Sequence, residues 1–165
     1  MNLFKFTLPI ISIIVLGCSA STEPDVNPAF NRLNIEYHKS GGWINAYSLF
    51  IDSTGLLKIY VNDYSSSKVY SDSNTTNLTT TEKKNLSNWF SDFNDFEKNY
   101  YPEIYYTDQN YYTIILRSGI SMDTCSVYDP QHCKLPDDLH RIIGFMDGKI
   151  EESLQRLIGI TIRMI

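Results

Sequence analysis

The stretch between Leu78 and Phe96 constrains the fold of this chain more than any other. Its large apolar residues recur at helical spacing and form one face that is too apolar to remain in water. They are Leu86, Trp89, Phe90, Phe93 and Phe96. Thr79 and Glu82 have the spacing of a capping box, in which the hydroxyl and the carboxylate satisfy two free backbone amides. We therefore predict an amphipathic helix that covers a sheet, with strands before and after it in the sequence.

Three strands are predicted before this helix, because apolar and polar residues alternate there with the period of a half-buried strand. Short turns join the three strands, so they form an antiparallel meander. Residues 63–77 are rich in Ser, Thr and Asn, and we predict a loop there with a short edge strand at 68–70. The inward-facing residues of the three strands are Leu33, Ile35 and Tyr37, then Tyr47, Leu49 and Ile51, then Leu57, Ile59 and Val61.

Two more strands are predicted after the helix. Tyr112, Ile114 and Leu116 share one face of a fourth strand, and a turn at Ser118-Gly119 leads into a fifth. A second apolar stripe at helical spacing then begins after Pro136, whose fixed φ suits the first turn of a helix.

The predicted order is β-β-β-α-β-β-α. Residues 159–165 are apolar and β-branched and add the expectation of a last short strand. This order is typical of an α+β domain, here an antiparallel sheet of about five strands packed against two helices. The chain of 165 residues is long enough to bury one core, and we assign residues 32–165 to a single globular domain.

The N-terminus predicts an export signal. Residues 1–17 carry one charge, Lys5, followed by an apolar run that is short for a membrane-spanning helix. The signal ends in Val15-Leu16-Gly17-Cys18, which resembles the bacterial lipobox. That resemblance implies that Cys18 becomes diacylated and then N-terminal. The alternative is an ordinary secretory signal that happens to contain a cysteine.

Residues 18–31 would then be the lipidated cysteine and a flexible tether, since they are small, polar and punctuated by proline. We expect the domain on the extracytoplasmic side of a bacterial membrane, attached to the bilayer through Cys18. The residue after Cys18 is Ser19, whereas an aspartate at this position would signal retention in the inner membrane. The expected location is therefore the outer membrane, if the cell has one. The net charge of -5, without a stripe rich in Lys and Arg, excludes nucleic acid as the expected partner.

Two cysteines remain, Cys125 and Cys133. In an oxidising compartment a close pair predicts a disulfide, and the alternative is two reduced thiols. Asp129, His132 and His140 lie near this pair in the sequence, but their spacing does not make three or four ligands converge. We therefore predict no metal site and no cofactor.

The sequence contains none of the common catalytic motifs: no nucleophile elbow, zinc-protease helix, phosphate-binding loop or dinucleotide fingerprint. We predict that the protein is not an enzyme and assign no catalytic residues; a hydrolase is the least supported class. Tyrosines crowd residues 100–112. They form either an aromatic binding surface for a protein or a sugar, or a packed sheet edge with hydroxyls in water.

Four segments share a pattern with a known family. They are the predicted strand 35–39 leading into Ser40-Gly41-Gly42-Trp43, the helix start at 78–86, the strand 108–116, and Pro136-Asp137-Asp138-Leu139 with Ile143. With these segments, residues 33–155 resemble the emfourin family, small protein inhibitors of thermolysin-like metalloproteases. The resemblance implies an α+β fold and a secreted peptidase as the partner.

Gly41, Gly42 and Trp43 are the candidate partner-binding residues. An exposed aromatic side chain on a glycine turn makes a good anchor for a protein interface. The alternative is that the glycines only make a bulge and that Trp43 packs on the helix. A second function, from a different class, is an envelope lipoprotein that binds or scaffolds an unknown ligand without inhibiting a peptidase.

Overall fold

A computed structural model of the chain describes residues 30–41, 44–63, 68–105 and 109–163, without the side chains of residues 44–45, 63, 68–75 and 157–163. Seven strands and two α-helices follow a short 3₁₀ turn at Phe30–Arg32. The strands are β1 (Leu33–Gly41), β2 (Ile44–Ile51), β3 (Leu56–Asp63), β4 (Lys68–Asn77), β5 (Asn99–Tyr100), β6 (Asn110–Ser118) and β7 (Ser121–Tyr128). The helices are α1 (Thr80–Trp89) and α2 (Asp137–Arg163), with a 3₁₀ turn at Phe93–Asp95 between α1 and β5.

The strands form one sheet in the order β4-β3-β2-β1-β6-β7-β5. The α+β class is confirmed, but the expected count of about five strands is corrected to seven. All neighbours are antiparallel except β5, which runs parallel to β7. The sheet is therefore mixed rather than purely antiparallel. A two-residue strand such as β5 is too short to show any periodicity, so the sequence pattern gave no sign of it.

The edge strand predicted at 68–70 is confirmed, but it is longer than expected: β4 occupies Lys68–Asn77, so the loop predicted for residues 71–77 is wrong. Its backbone pairs with β3 from Leu56↔Asn77 to Asp63↔Lys68. An edge strand gains its stability from the backbone ladder on one side and does not need an apolar face. A run of Ser, Thr and Asn therefore forms a strand here although it lacks the alternation that predicts one.

The core lies on one face of the sheet. Inward residues were predicted for four strands, and all of them are buried except Leu33 and Tyr47, which are partly buried against the same core. Ile35 and Tyr37 of β1 are buried beside Leu49 and Ile51 of β2, and Ile114 of β6 is fully buried. Both helices contribute to the same cluster. Their buried members are Leu86 and Phe90 around the end of α1, and Leu139, Ile142, Ile143, Met146 and Ile150 in α2.

The capping box at the start of α1 is confirmed. The Thr79 amide donates to Glu82 Oε2 at 2.7 Å, and the Glu82 amide donates to Thr79 Oγ1 at 3.2 Å. Lys149 of α2 also contacts the Glu82 carboxylate at 2.7 Å. Burial alone would raise the pKa of Glu82, but these partners outweigh burial and lower the pKa. The same carboxylate therefore caps α1 and joins it to α2.

α1 is shorter than the apolar stripe predicts, because the helix ends at Trp89. Ser91 donates its hydroxyl to the Asn88 carbonyl at 2.8 Å, a local bond that competes with continued helix. A 3₁₀ turn at Phe93–Asp95 follows, and Phe93 is still buried. The aromatic residues therefore reach the core through a helix and a turn rather than through one long helix.

α2 runs without a break from Asp137 to Arg163, through Gly144 and Gly148. The last short strand predicted at 159–165 is therefore wrong over the residues up to 163. No helix in the described part of the chain combines the length and the apolar character that a membrane span needs.

A partly buried ion pair joins α2 to β1. Asp147 accepts a hydrogen bond from the Tyr37 hydroxyl at 2.7 Å and contacts Lys39 Nζ at 2.8 Å. Burial raises the pKa of Tyr37, and the Asp147 carboxylate raises it further. Burial alone would lower the pKa of Lys39, but its hydrogen bond to Asp147 and the negative charge outweigh burial, so this pKa is also raised. Three side chains thus fix the helix against the centre of the sheet.

Candidate functional site

The pairing of β1 with β6 defines two ends of the sheet. Leu33 at the start of β1 pairs with Ser118, where the β6–β7 hairpin begins. We call this the junction end, because the chain enters the domain there. Gly41 at the other end of β1 pairs with Asn110, and we call this the distal end. At a rise of about 3.3 Å per residue, the nine residues of β1 separate the two ends by about 26 Å.

Gly41, one of the three predicted partner-binding residues, lies at the distal end. A Cβ atom at this position would come within 2.6 Å of the Gln109 carbonyl oxygen and 2.8 Å of Asn110 Cα. Glycine is therefore required by the close approach of the neighbouring chain. The register shifts between Lys39 and Gly41, so the bulge expected from the alternative interpretation is present. Gly42 and Trp43 lie outside the described residues, and their role in binding stays a prediction.

Three tyrosines are stacked at the distal end, and we call them the tyrosine stack. Tyr101 lies parallel to Tyr128 with ring centroids 4.7 Å apart, and Tyr128 contacts Tyr111 at the same separation. The Tyr111 hydroxyl lies 3.2 Å from Ser126 Oγ. Hydrogen bonds from Ser126 and Thr113 lower the pKa of Tyr111. Tyr111 and Tyr128 lie on paired strands and Tyr101 follows β5 directly, so the three rings form one aromatic surface.

The chain between β5 and β6 adds exposed apolar surface beside the tyrosine stack. Tyr101 is 53% exposed, Ile104 64% and Tyr105 67%. Other tyrosines of this region, Tyr100 and Tyr112, are buried in the core. The aromatic binding surface stays a prediction for the exposed tyrosines, and Tyr106 lies outside the described residues. Exposed tyrosines on a rigid support are typical of protein interfaces.

The loop after β7 is fixed to the distal end by Asp129. This residue has φ of 52°, and its amide donates to the Asn110 carbonyl at 2.7 Å. Its carboxylate lies 2.7 Å from His132 Nδ1. Asp129 and His132 thus form a local clamp, and the structure places His140 apart from them, exposed on α2. Within the described ranges, no group of three or more His, Cys, Asp or Glu is arranged to hold a metal.

Cys125 and Cys133 are both free thiols in this structure. Cys125 is buried on β7, and burial raises its pKa to about 12. Cys133 is partly exposed and donates to the Tyr128 carbonyl at 2.9 Å. An oxidised pair would exchange this weak hydrogen bond for a covalent bond. The disulfide stays a prediction for protein from the oxidising compartment.

We expect non-reducing peptide mapping of protein isolated from the envelope to show Cys125 joined to Cys133. The short loop between them predicts a stabilisation of about 2–3 kcal/mol on the chain-entropy estimate. Cys133→Ser is the matched control, because its single domain cysteine, Cys125, should alkylate once the protein is denatured without a reductant. If both cysteines of the envelope protein alkylate under the same denaturing, non-reducing conditions, the pairing is wrong.

The face of the sheet opposite the helices is open among the described residues, and we call it the open face. Phe50 and Tyr60 meet edge to face with centroids 5.6 Å apart, and both line a shallow depression of about 630 Å³. Glu36 accepts a hydrogen bond from Arg117 Nε at 2.7 Å across the neighbouring strand. The depression is partly apolar and wide open, and it can hold a ligand only as a surface groove.

Ser48, His38 and Glu36 lie together on the open face, as in a hydrolytic triad. Ser48 Oγ is 2.9 Å from His38 Nδ1, but Glu36 Oε2 is 3.7 Å from His38 Nε2, too long for a hydrogen bond. The contact follows from cross-strand register, since His38 and Ser48 are paired. β1 is hydrogen-bonded to β2 and β6 on its two sides, so its amides cannot form an oxyanion hole here. The cluster has the geometry of ordinary sheet neighbours.

No protein-family model matches the chain, and no curated protein matches its sequence. A function for this chain therefore rests on three features: the lipobox-like N-terminus, the residues that resemble emfourins, and the geometry of the two ends of the sheet. The described residues bring Gly41 and the tyrosine stack to one end. Both features were predicted from the sequence, but only the pairing of β1 with β6 and of β6 with β7 brings them together.

Proposed function

We propose that this chain is a lipid-anchored protein of the bacterial cell envelope that binds a second protein at its distal end. The observation that carries the proposal is the position of the two ends. The tether from Cys18 joins the domain at the junction end, whereas Gly41 and the tyrosine stack lie about 26 Å away along β1. A domain attached at one end presents the other end to soluble partners.

The chemistry of the distal end suits a protein partner. Tyr101 and Tyr105 combine large apolar rings with hydroxyls that remain hydrogen-bonded in water, and Ile104 adds a purely apolar contact. Tyrosine loses little rotamer freedom on binding, so such residues contribute affinity at small entropic cost. The bulge at Gly41 fixes where the hairpin turn leaves the sheet, next to this surface.

The proposed partner is a secreted thermolysin-like metallopeptidase, and the proposed role is inhibition. This part of the proposal is supported by the emfourin-like residues alone. The test is to add increasing amounts of the full-length protein to a thermolysin-like metallopeptidase, in buffer without added thiols, and to measure the peptidase activity. Inhibition that saturates at one inhibitor per enzyme supports the role, and full peptidase activity at a large excess of the protein contradicts it.

A second candidate function is ligand binding or scaffolding without inhibition. The observation that favours it is the open face, where Phe50 and Tyr60 line an uncovered depression that needs no contribution from Trp43. Capture of envelope proteins with the full-length chain would distinguish the two. A captured peptidase supports inhibition, and a captured protein without peptidase activity supports scaffolding.

The substitution Trp43→Ala tests whether binding uses the distal end or the open face. If Trp43 is the anchor, we expect a loss of at least about 2 kcal/mol in binding free energy and an unchanged melting temperature. If it packs in the core instead, the same change should remove about 3–5 kcal/mol of folding stability. Calorimetric melting and binding titrations measure both quantities on one sample.

Tyr60→Ala is the companion variant, since Tyr60 is a similarly large aromatic residue on the open face. Binding through the distal end predicts that Tyr60→Ala keeps full affinity. A loss of affinity in Tyr60→Ala with none in Trp43→Ala would assign binding to the open face and remove the inhibitor proposal.

A further inference from the structure

The junction end carries two exposed aliphatic side chains. Ile120 is fully exposed at 108% of its reference area, and Met122 is 56% exposed. Ser118 pairs with Ser121, so Gly119 and Ile120 are the two residues of the turn between β6 and β7. Neither exposed side chain belongs to the hydrophobic core cluster. Their apolar character therefore contributes nothing to the packing of this domain.

The geometry of the β6–β7 turn does not require an isoleucine at position 120. Gly119 has φ of 61°, as the first position of a type II′ turn requires. The second position of such a turn lies in water, and a polar residue would serve the geometry equally well. A β-branched apolar residue there exposes its whole side chain, and its coverage by an apolar surface would be favourable.

The entry of the tether identifies that surface. Phe30 is fully buried and fixes the chain at the junction end, where Leu33 pairs with Ser118. Residues 19–29, eleven in all, separate Phe30 from Cys18. Such a segment reaches at most about 40 Å when fully extended. A lipid on Cys18 would therefore hold the hairpin within reach of the bilayer.

We propose that the β6–β7 hairpin inserts Ile120 and Met122 into the surface of the lipid bilayer. The proposal rests on the lipid anchor assigned above. Two aliphatic side chains alone would bind a membrane weakly, but the anchor makes their contact intramolecular and raises the effective concentration to the millimolar range. The contact is a second attachment point that limits how the domain can tilt.

Arg117 supports this orientation. Its guanidinium lies beside Met122, with Nη1 2.9 Å from Met122 Sδ, and its side chain is 45% exposed. In a membrane-bound hairpin the two apolar residues would enter the acyl region while the cation stays at the level of the phosphates. Arg117 also pairs through Nε with Glu36, which holds the guanidinium at the base of the hairpin. The distal end is then turned away from the bilayer.

The test uses the full-length lipidated protein in vesicles of phosphatidylcholine. One environment-sensitive fluorescent amino acid is incorporated in place of Ile120, and in a second sample in place of Ile104. The two positions are matched, since both are exposed aliphatic residues of the wild-type chain, but they lie at opposite ends of the sheet. Phosphatidylcholine with a nitroxide on its acyl chain serves as the quencher, and vesicle flotation measures anchoring.

We expect a blue-shifted emission at position 120 and loss of about half of its intensity to the lipid quencher, with neither change at position 104. Equal, weak quenching at both positions in protein that floats with the vesicles would overturn the hairpin contact while leaving the anchor intact. Protein that carries no lipid and does not float would overturn both proposals together. The flotation readout therefore tells the two failures apart.

Discussion

Replacing Cys18 with alanine should abolish lipid labelling of the protein and remove any cleaved product from the membrane fraction. The resemblance to the lipobox implies that the Cys18 sulfur receives the diacylglyceryl group. Alanine has no nucleophile that could form this bond. Each buried methylene contributes about 0.8 kcal/mol to membrane partitioning, so losing the acyl chains lowers the partition coefficient by many orders of magnitude. The weak contact of the β6–β7 hairpin cannot compensate, because without the anchor that contact is bimolecular.

Metabolic labelling with palmitate and partitioning into detergent measure this effect. The expected product of Cys18→Ala carries no label and is either uncleaved or soluble. Cys133→Ala is the control, since it removes a partly exposed cysteine from the domain and should keep both the label and the membrane address. A Cys18→Ala protein that still labels and still partitions into detergent would show that the N-terminus is an ordinary signal.

The long strands could be predicted because burial of one face requires apolar and polar residues to alternate along the strand. Ile35 and Tyr37 face the core while Glu36 and His38 face the other side, and the same alternation holds in β6. The capping box was also predictable, because its two side chains act within one helical turn. Both features depend on residues close together in sequence, and local physics determines them.

The missed elements depend on partners distant in sequence. β4 is stable as a strand because its backbone pairs with the edge of β3. Its own Ser, Thr and Asn residues do not predict a strand. β5 exists only as a two-residue parallel contact with β7. The end of α1 was misplaced because Phe93 remains buried after the helix has ended, so apolar spacing continued past Trp89.

The candidate surfaces show the same division. The sequence identified Gly41 as a special position, but its reason, the approach of Gln109 and Asn110, comes from β6. The tyrosine stack requires the register that pairs Tyr111 with Tyr128. The nearness of Ile120 to the tether follows from the pairing of Leu33 with Ser118. Each of these facts joins segments more than fifteen residues apart, and alternation within one strand cannot encode them.

Asp147→Ala should destabilise the domain by about 2–3 kcal/mol. The substitution leaves the Lys39 ammonium, with its side chain 19% exposed, and the Tyr37 hydroxyl without the carboxylate that now bonds both. The cost is below that of a fully buried pair because water still reaches Lys39 and Asp147. For a domain of this size, the loss corresponds to a fall of about 10 °C in the melting temperature. Glu151→Ala, an exposed acidic residue on the same helix, should change stability by less than about 0.5 kcal/mol.

The pH dependence of this loss separates the ion pair from simple packing. The pKa of Lys39 is raised above its ordinary value of 10.5, so the pair contributes fully below that pH and is lost as pH rises through the folded-state pKa. The stability difference between wild type and Asp147→Ala should therefore be constant between about pH 6 and 9 and shrink at higher pH. Denaturant unfolding at a series of pH values measures it. A difference that stays the same well above the folded-state pKa of Lys39 would mean that Asp147 acts through packing and the Tyr37 hydrogen bond rather than through charge.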